Sequence, residues 1–249
     1  MEEAREGGRV MCTVTWAMSD DGFDLLCNRD EARSREVAFS PGVHTQRGVR
    51  YVSPVDGRHG GTWIAANEFG LALCLTNGVR GGHGAKRPGS TSRGLLVTEW
   101  IDAAGMSDVV QRASATELAE FAPFTMAILD PGIGSAVLEW DGEHKVFHPS
   151  GEWFLPLSSS SCEPDAALES RQRLFARMGP ASAAELYRFH ESHEPHAGAR
   201  SCCMHRADAE TVSFSWLRVG GDRVDLFYVP GAPCQWKQGQ HATLLRVSQ

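Results

Sequence analysis

The order in which strand-like and helix-like periodicities follow one another constrains this chain most. Apolar runs at 12–18 and 23–27 flank Ser19-Asp20-Asp21-Gly22, and an Asp-Gly between such runs signals a hairpin. A polar stretch over 28–61 carries only weak strand signals. Strand patterns resume at 62–66 and 71–75, with Asn67-Glu68-Phe69-Gly70 as the turn between them. Residues 78–91, rich in Gly, Arg, Pro and Ser, read as a mobile loop. Leu95, Leu96, Glu99 and Trp100 then give helical spacing over 92–103, and helical pattern continues to about 121. Strands are expected at 124–129, 136–140 and 145–147, and helices at 166–178 and 181–190. Strands return at 201–205, 211–219 and 223–229. Helices segregated from runs of strands predict α+β packing rather than a parallel βαβ sheet. The expected architecture is two antiparallel sheets layered between helices.

With 249 residues, 42% of them hydrophobic, the chain can bury a sizeable core. It shows no internal repeat and no linker, so 12–249 reads as a single domain. A net charge of -7 disfavours nucleic acid or an anionic membrane as partner. No apolar run approaches the roughly 20 residues of a membrane span. The first ten residues, MEEAREGGRV, hold three acids and do not resemble a secretory signal, which leaves a cytoplasmic address by default. The seven cysteines are odd in number, widely spaced and lack a Cys-x-x-Cys pair, so most read as reduced and structural. Cys27 and Cys74, inside apolar runs, read as small hydrophobes.

Cys12 calls for a separate argument. An unperturbed thiol, with pKa about 8.5, is only a few per cent ionised at neutral pH. If Cys12 began the chain, its own α-amine, with pKa about 7.7–8.0, would serve as a general base. Arg29 and Asp30 end the second strand of the expected hairpin and therefore return to Cys12. The carboxylate can hold the amine, and the guanidinium favours thiolate and can orient an acyl carbonyl. Asn77 ends another strand and can donate to a tetrahedral oxyanion. Each piece alone has a plainer reading: a packed cysteine, a solvated Asn-Arg-Asp-Glu turn, a Gly-Gly-Thr-Trp bulge, a Thr76-Asn77 turn.

Five separated motifs occur in order: Met11-Cys12, Asn28-Arg29-Asp30-Glu31, Gly60-Gly61-Thr62-Trp63, Leu75-Thr76-Asn77 and Ser92-Arg93-Gly94-Leu95-Leu96-Val97. In these the chain resembles the NRDE family, also called the transport and Golgi organisation protein 2 family. That family is in turn similar to cysteine N-terminal-nucleophile hydrolases such as penicillin V acylase and conjugated bile salt hydrolase. The resemblance implies an αββα four-layer sandwich. It also implies cleavage of a non-peptide C–N amide bond, or acyl transfer, through an acyl-thioester on Cys12, with no cofactor and a small acyl-amide substrate. Cys12, Arg29, Asp30, the 67–71 run and Asn77 fall on the relatives' active-site positions. Where many relatives carry a later Asn, this chain reads Leu157 to Cys162, and Ser159 is the candidate donor. Arg200 is the candidate for their late active-site Arg. The alternative is a non-catalytic member that handles lipid, acyl-CoA or haem. Homo-oligomerisation is left open.

An N-terminal nucleophile cannot work behind eleven residues. Either Met1 is a misassigned start or residues 1–11 are removed. Glu6-Gly7-Gly8 would be encoded by a purine-rich run that resembles a bacterial ribosome-binding site ahead of Met11, which favours the first. Ser201-Cys202-Cys203-Met204-His205-Arg206 invites a metal reading. On a strand Cys203 and His205 would share a face. No second paired ligand motif accompanies them, so no metal is expected. His83, His190, His193 and His196 read as surface residues. Gly81-Gly82-His83-Gly84 lacks the Lys-Ser/Thr of a phosphate loop.

Overall fold

The computed structural model describes residues 11–78, 91–236 and 238–247. Strand β1 (Met11–Ser19) turns into β2 (Gly22–Ala32). Then come β3 (Phe39–Gln46), β4 (Val49–Val55), β5 (Ile64–Asn67) and β6 (Ala72–Asn77). Helices α1 (Gly94–Trp100) and α2 (Met106–Ala115) precede β7 (Phe124–Asp130), β8 (Gly134–Trp140), β9 (Lys145–His148) and β10 (Leu157–Ser159). Helices α3 (Pro164–Met178) and α4 (Ala183–His190) lead to β11 (Ala209–Val219), β12 (Arg223–Val229) and β13 (Gln240–Leu245). One sheet has the order β10-β1-β2-β11-β12-β13 and the other β3-β4-β5-β6-β7-β8-β9, with antiparallel pairing throughout.

Pleat alternation builds the layers. Leu25 and Cys27 of β2 point between the sheets, where they meet Val14, Ile64, Cys74, Ala127 and Leu217. Leu26 points outward and packs with Leu186 of α4 and Phe214. On the second sheet Leu73 and Met126 point outward to Leu96, Val97 and Trp100 of α1. The layers therefore run α1/α2, sheet, sheet, α3/α4, which is the expected αββα sandwich.

Four local expectations are corrected. Asn28 to Glu31 is no solvated turn: β2 continues through it, buried on both faces between the second sheet and the α3/α4 layer. The polar 28–61 stretch contains the hairpin β3–β4, whose exposed edge strand is polar and so shows little apolar alternation. Residues 201–205 form no strand, because Ser201 Oγ accepts from Gly198 N at 3.2 Å and donates to Cys203 O at 2.7 Å, which curls the segment. Edge strand β13 carries no apolar run strong enough to announce it. The loop predicted over 78–91 falls mostly on 79–90, and the extension on 1–10, both outside the described residues.

Two glycines join distant motifs. Thr62 N donates to Gly94 O at 3.1 Å, which pins the loop before β5 to the start of α1. A Cβ on Gly61 would lie 2.6 Å from the Gly94 carbonyl carbon, and one on Gly94 would lie 2.9 Å from Thr62 O. Gly61→Ala is therefore expected to lose about 1–3 kcal/mol of stability through overpacking against backbone that cannot yield. Urea unfolding checks this, and an unchanged midpoint would show that α1 can lift away.

Candidate active site

The three strands β10, β1 and β2 place Cys12 between two candidate partners. Cys12 pairs with Arg29 on one side and with Ser159 on the other. Directly opposed residues share a face, so all three lie on the side of the sheet that faces β6. Cys12 N donates to Ser159 Oγ at 3.2 Å. The Arg29 guanidinium lies 4.5 Å from the centre of the Trp63 ring. It is held by Asp56 at 2.8 Å and Glu31 at 3.1 Å. Arg35 shares Asp56 at 2.8 Å. Burial pushes Asp56 up, but the hydrogen bond and charge of Arg35, the charge of Arg29 and a backbone N–H from His59 together hold it below the usual carboxylate range.

The Cys12 thiol is buried, and burial pushes it well above the ordinary value. Cys27, Asp30 and Glu31 add to the rise, and Arg29 opposes it. The thiol is thus protonated as it stands and needs a base before it can act. Arg93, at the start of α1, stands close enough that the Cys12 and Glu31 charges favour its cation, although burial lowers its pKa more. Its guanidinium donates to Pro123 O at 2.8 Å. In the sequence Arg93 stands out only as part of the Ser92–Val97 motif.

Asp30 sits differently from expectation. It is opposite Met11 and Thr211, one pleat away from Arg29, and so projects into the α3/α4 layer rather than toward the thiol. There Thr211 Oγ1 donates to it at 2.6 Å and the Arg171 guanidinium lies at 3.7 Å. Burial raises its pKa to about 6 against the pull of Arg171 and Thr211. Arg171 itself is 1% exposed and donates to Thr13 Oγ1, Ser158 Oγ and Ser201 O. Ser158 Oγ in turn donates to Cys12 O at 3.4 Å. A readable signal existed: Ala167, Arg171 and Leu174 form the buried stripe of α3 at helical spacing, with an arginine in the middle.

Arg200, expected near the nucleophile, is half-exposed and paired with Glu163. The buried arginine of this region is Arg171. Asn77 closes β6, a strand packed against β1 and β10. The pleat groups it with Leu73 and Leu75, so its amide could meet the thiol only by passing round the strand end. That amide makes no hydrogen bond among the described residues. Asn28, the first residue of its motif, donates to His190 O and Cys202 O and ties β2 to the segments around α4.

His190 is fully buried, not at the surface, with Nε2 2.8 Å from Thr15 Oγ1. Burial, reinforced by Arg171, lowers its pKa to about 3 from 6.5. The fold therefore prefers neutral His190, and the stability this gives above pH 6.5 is lost as pH falls toward 3. Asp30 runs the other way: its contribution is complete below 3.8 and is lost as pH rises through about 6. His190→Gln removes the first effect alone. Its stability relative to wild type is expected to improve from pH 7 to pH 5, as read by urea midpoints. A pH-independent difference would show that His190 does not titrate with unfolding. His193 and His196 are exposed as expected, and His83 lies outside the described residues.

Beside Arg29, between β2, β11 and β12, a cavity of about 240 Å³ is lined by Arg33, Arg35, Val37, Tyr228 and His205. Residues 11–152 match the family described as Transport and Golgi organisation 2. The chain belongs to that family. No curated protein matches it in sequence. Among solved structures, a variant of the conjugated bile acid hydrolase from Clostridium perfringens is similar over 96% of this chain and 97% of its own, at 11% identity and a TM-score of 0.57. The Caenorhabditis elegans ortholog of N-acylethanolamine-hydrolyzing acid amidase is similar over 95% of this chain and 100% of its own, at 13% identity and a TM-score of 0.53. At these identities the likeness is one of fold. This family member thus has the N-terminal-nucleophile hydrolase fold. No helix among the described residues is long and apolar enough to cross a membrane.

Proposed function

We propose that this protein is a cysteine N-terminal-nucleophile amidohydrolase, or an acyltransferase working by the same route, whose functional chain begins at Cys12. The observation that carries this reading is the pairing of Cys12 between Arg29 and Ser159 on the inner face of the sheet. The two structural relatives are, by their descriptions, an acid amidase acting on N-acylethanolamines and a conjugated bile acid hydrolase, which supports an acyl-amide substrate.

In this scheme the α-amine of Cys12, hydrogen-bonded by Ser159 Oγ, takes the thiol proton. Sγ then attacks the acyl carbonyl carbon, and the C=O electron pair moves to oxygen. Arg93 meets that oxyanion, with Asn77 as a second donor once its amide turns round the end of β6. The ammonium returns the proton to the leaving nitrogen as the C–N bond breaks, leaving a thioester on Cys12. Water, or an acceptor nucleophile in acyl transfer, attacks the thioester carbonyl and gives its proton to the amine; the C–S bond then breaks, the acyl product leaves, and the ammonium returns the proton to the Cys12 sulfur. Arg29 binds the acyl side beside the cavity. Asp30 is a positioning residue: it fixes Arg171, which holds Ser158 against the Cys12 carbonyl. A small soluble substrate needs no membrane partner, in keeping with a cytoplasmic address.

Mass spectrometry of the mature chain and capture of a thioester with an activated acyl probe test the proposal. A mature terminus at Cys12 and an acyl adduct on that residue are expected. Another terminus, or labelling that survives Cys12→Ser or blocking of the α-amine, would sink it. The arginine-lined cavity beside Arg29 is what favours the second reading, a non-catalytic member that holds an anionic acyl-CoA, lipid or haem. Binding without any adduct would support that reading.

A further inference from the structure

Four ligand-type side chains converge away from Cys12, on segments far apart in sequence. His193 follows α4, Cys203 and His205 lie in the curled segment before β11, and Cys234 lies in the 3-10 turn Pro233–Gln235 after β12. One ligand atom from each lies within 4.8 Å of the other three. Cys203 Sγ and His205 Nε2 are 3.5 Å apart, and His205 Nε2 and Cys234 Sγ are 3.3 Å apart. The His193 and His205 rings meet at 5.1 Å between centroids.

These spacings match a particular coordination shell. An ion with Zn–S about 2.3 Å and Zn–N about 2.0 Å in tetrahedral array needs its sulfur and nitrogen ligands about 3.5 Å apart. Two thiols and two imidazoles, with no carboxylate, suit zinc and exclude the oxygen-seeking calcium, magnesium and manganese. The backbone already holds the shell together. Cys203 N donates to Ser192 O at 3.0 Å, beside His193. His205 bridges to Glu210, and Gln235 N donates to Ala232 O to close the turn around Cys234.

We propose that His193, Cys203, His205 and Cys234 form a four-coordinate structural zinc site that clamps the end of α4 and the lead-in to β11 onto the turn after β12. All four positions are filled by protein, the mark of a structural rather than a catalytic zinc. His205 also lines the cavity beside Arg29, so the clamp would brace one wall of the candidate substrate site. The proposal does not depend on the hydrolase reading.

The test uses the full-length chain from zinc-supplemented culture, with elemental analysis and cobalt(II) exchange. About one zinc per chain is expected. The cobalt form should show tetrahedral d–d bands and a thiolate-to-cobalt charge-transfer band. Cys203→Ser and Cys234→Ser should each weaken zinc binding at least about 100-fold. Cys162→Ser, outside the cluster, should leave it unchanged. If a ligand variant does not fold, the cobalt spectrum of the wild-type chain decides alone. A chain that retains no zinc, a cobalt spectrum without sulfur ligation, or a Cys203–Cys234 disulfide in the peptide map would overturn the proposal.

Discussion

An Arg171→Met variant is expected to unfold with a free energy about 3–5 kcal/mol below that of the wild type. The guanidinium is almost wholly buried and serves partners on three segments at once: Thr13 on β1, Ser158 on β10 and Ser201 O before β11. It is also the cation nearest Asp30, whose Oδ2 has no hydrogen-bond partner among the described residues. Methionine fills much of the volume but leaves a buried carboxyl facing apolar surroundings and several acceptors unpaired. Adding Asp30→Asn should recover about 1–3 kcal/mol, because it removes the charge that Arg171 compensates. Urea unfolding of the two single variants, the double variant and the wild type measures the coupling. A loss below about 1 kcal/mol in Arg171→Met would show that water or a rearranged neighbour replaces the guanidinium.

The second large effect is on activity. Under the proposed mechanism, Cys12→Ala is expected to lower kcat on fluorogenic N-acyl amides by at least about 10⁴-fold, since that mechanism assigns both nucleophile and base to this residue. The thiol is held protonated by burial, so turnover should rise with pH as the α-amine loses its proton, through a pKa of about 7.7–8.0 or below. The assay needs a chain whose terminus has been verified as Cys12 and a variant shown to be folded by circular dichroism. A folded variant that keeps more than about a tenth of the activity would remove Cys12 from the chemistry. Intact activity in a chain that retains residues before Cys12 would do the same for the α-amine.

The hairpin of β1 and β2 was legible because its apolar runs and Asp-Gly turn are local signals, and a hairpin's register follows from its turn. That register is enough to bring Arg29 to Cys12. The face each residue takes was harder to read. Asp30 follows Arg29 in sequence yet serves the helical layer, because β2 is covered on both sides and successive residues of a strand point opposite ways. Arg93 and Arg171 were missed as site residues for a related reason. Each reaches the neighbourhood of Cys12 through helix docking, and docking depends on contacts such as Thr62 N to Gly94 O that join segments far apart in sequence.

The same division explains Arg200 and the histidines. A motif gives a residue's place along the chain, and Arg200 lies near the curled segment as its position suggests, but an ion pair with Glu163 holds it at the surface. His190 looks polar in its sequence context and is buried because α4 lays it on Thr15 and Phe214. Cys203 and His205 had no visible partners because His193 and Cys234 come from segments on either side, twelve residues before and twenty-nine residues after His205 in the sequence. Local periodicity, turn chemistry and ordered motifs determined the family, the layered α+β fold and the candidate nucleophile. The partners of that nucleophile, and the four residues of the cluster, were decided only when the two sheets and their helices packed, because burial and long-range contact are properties of the folded chain.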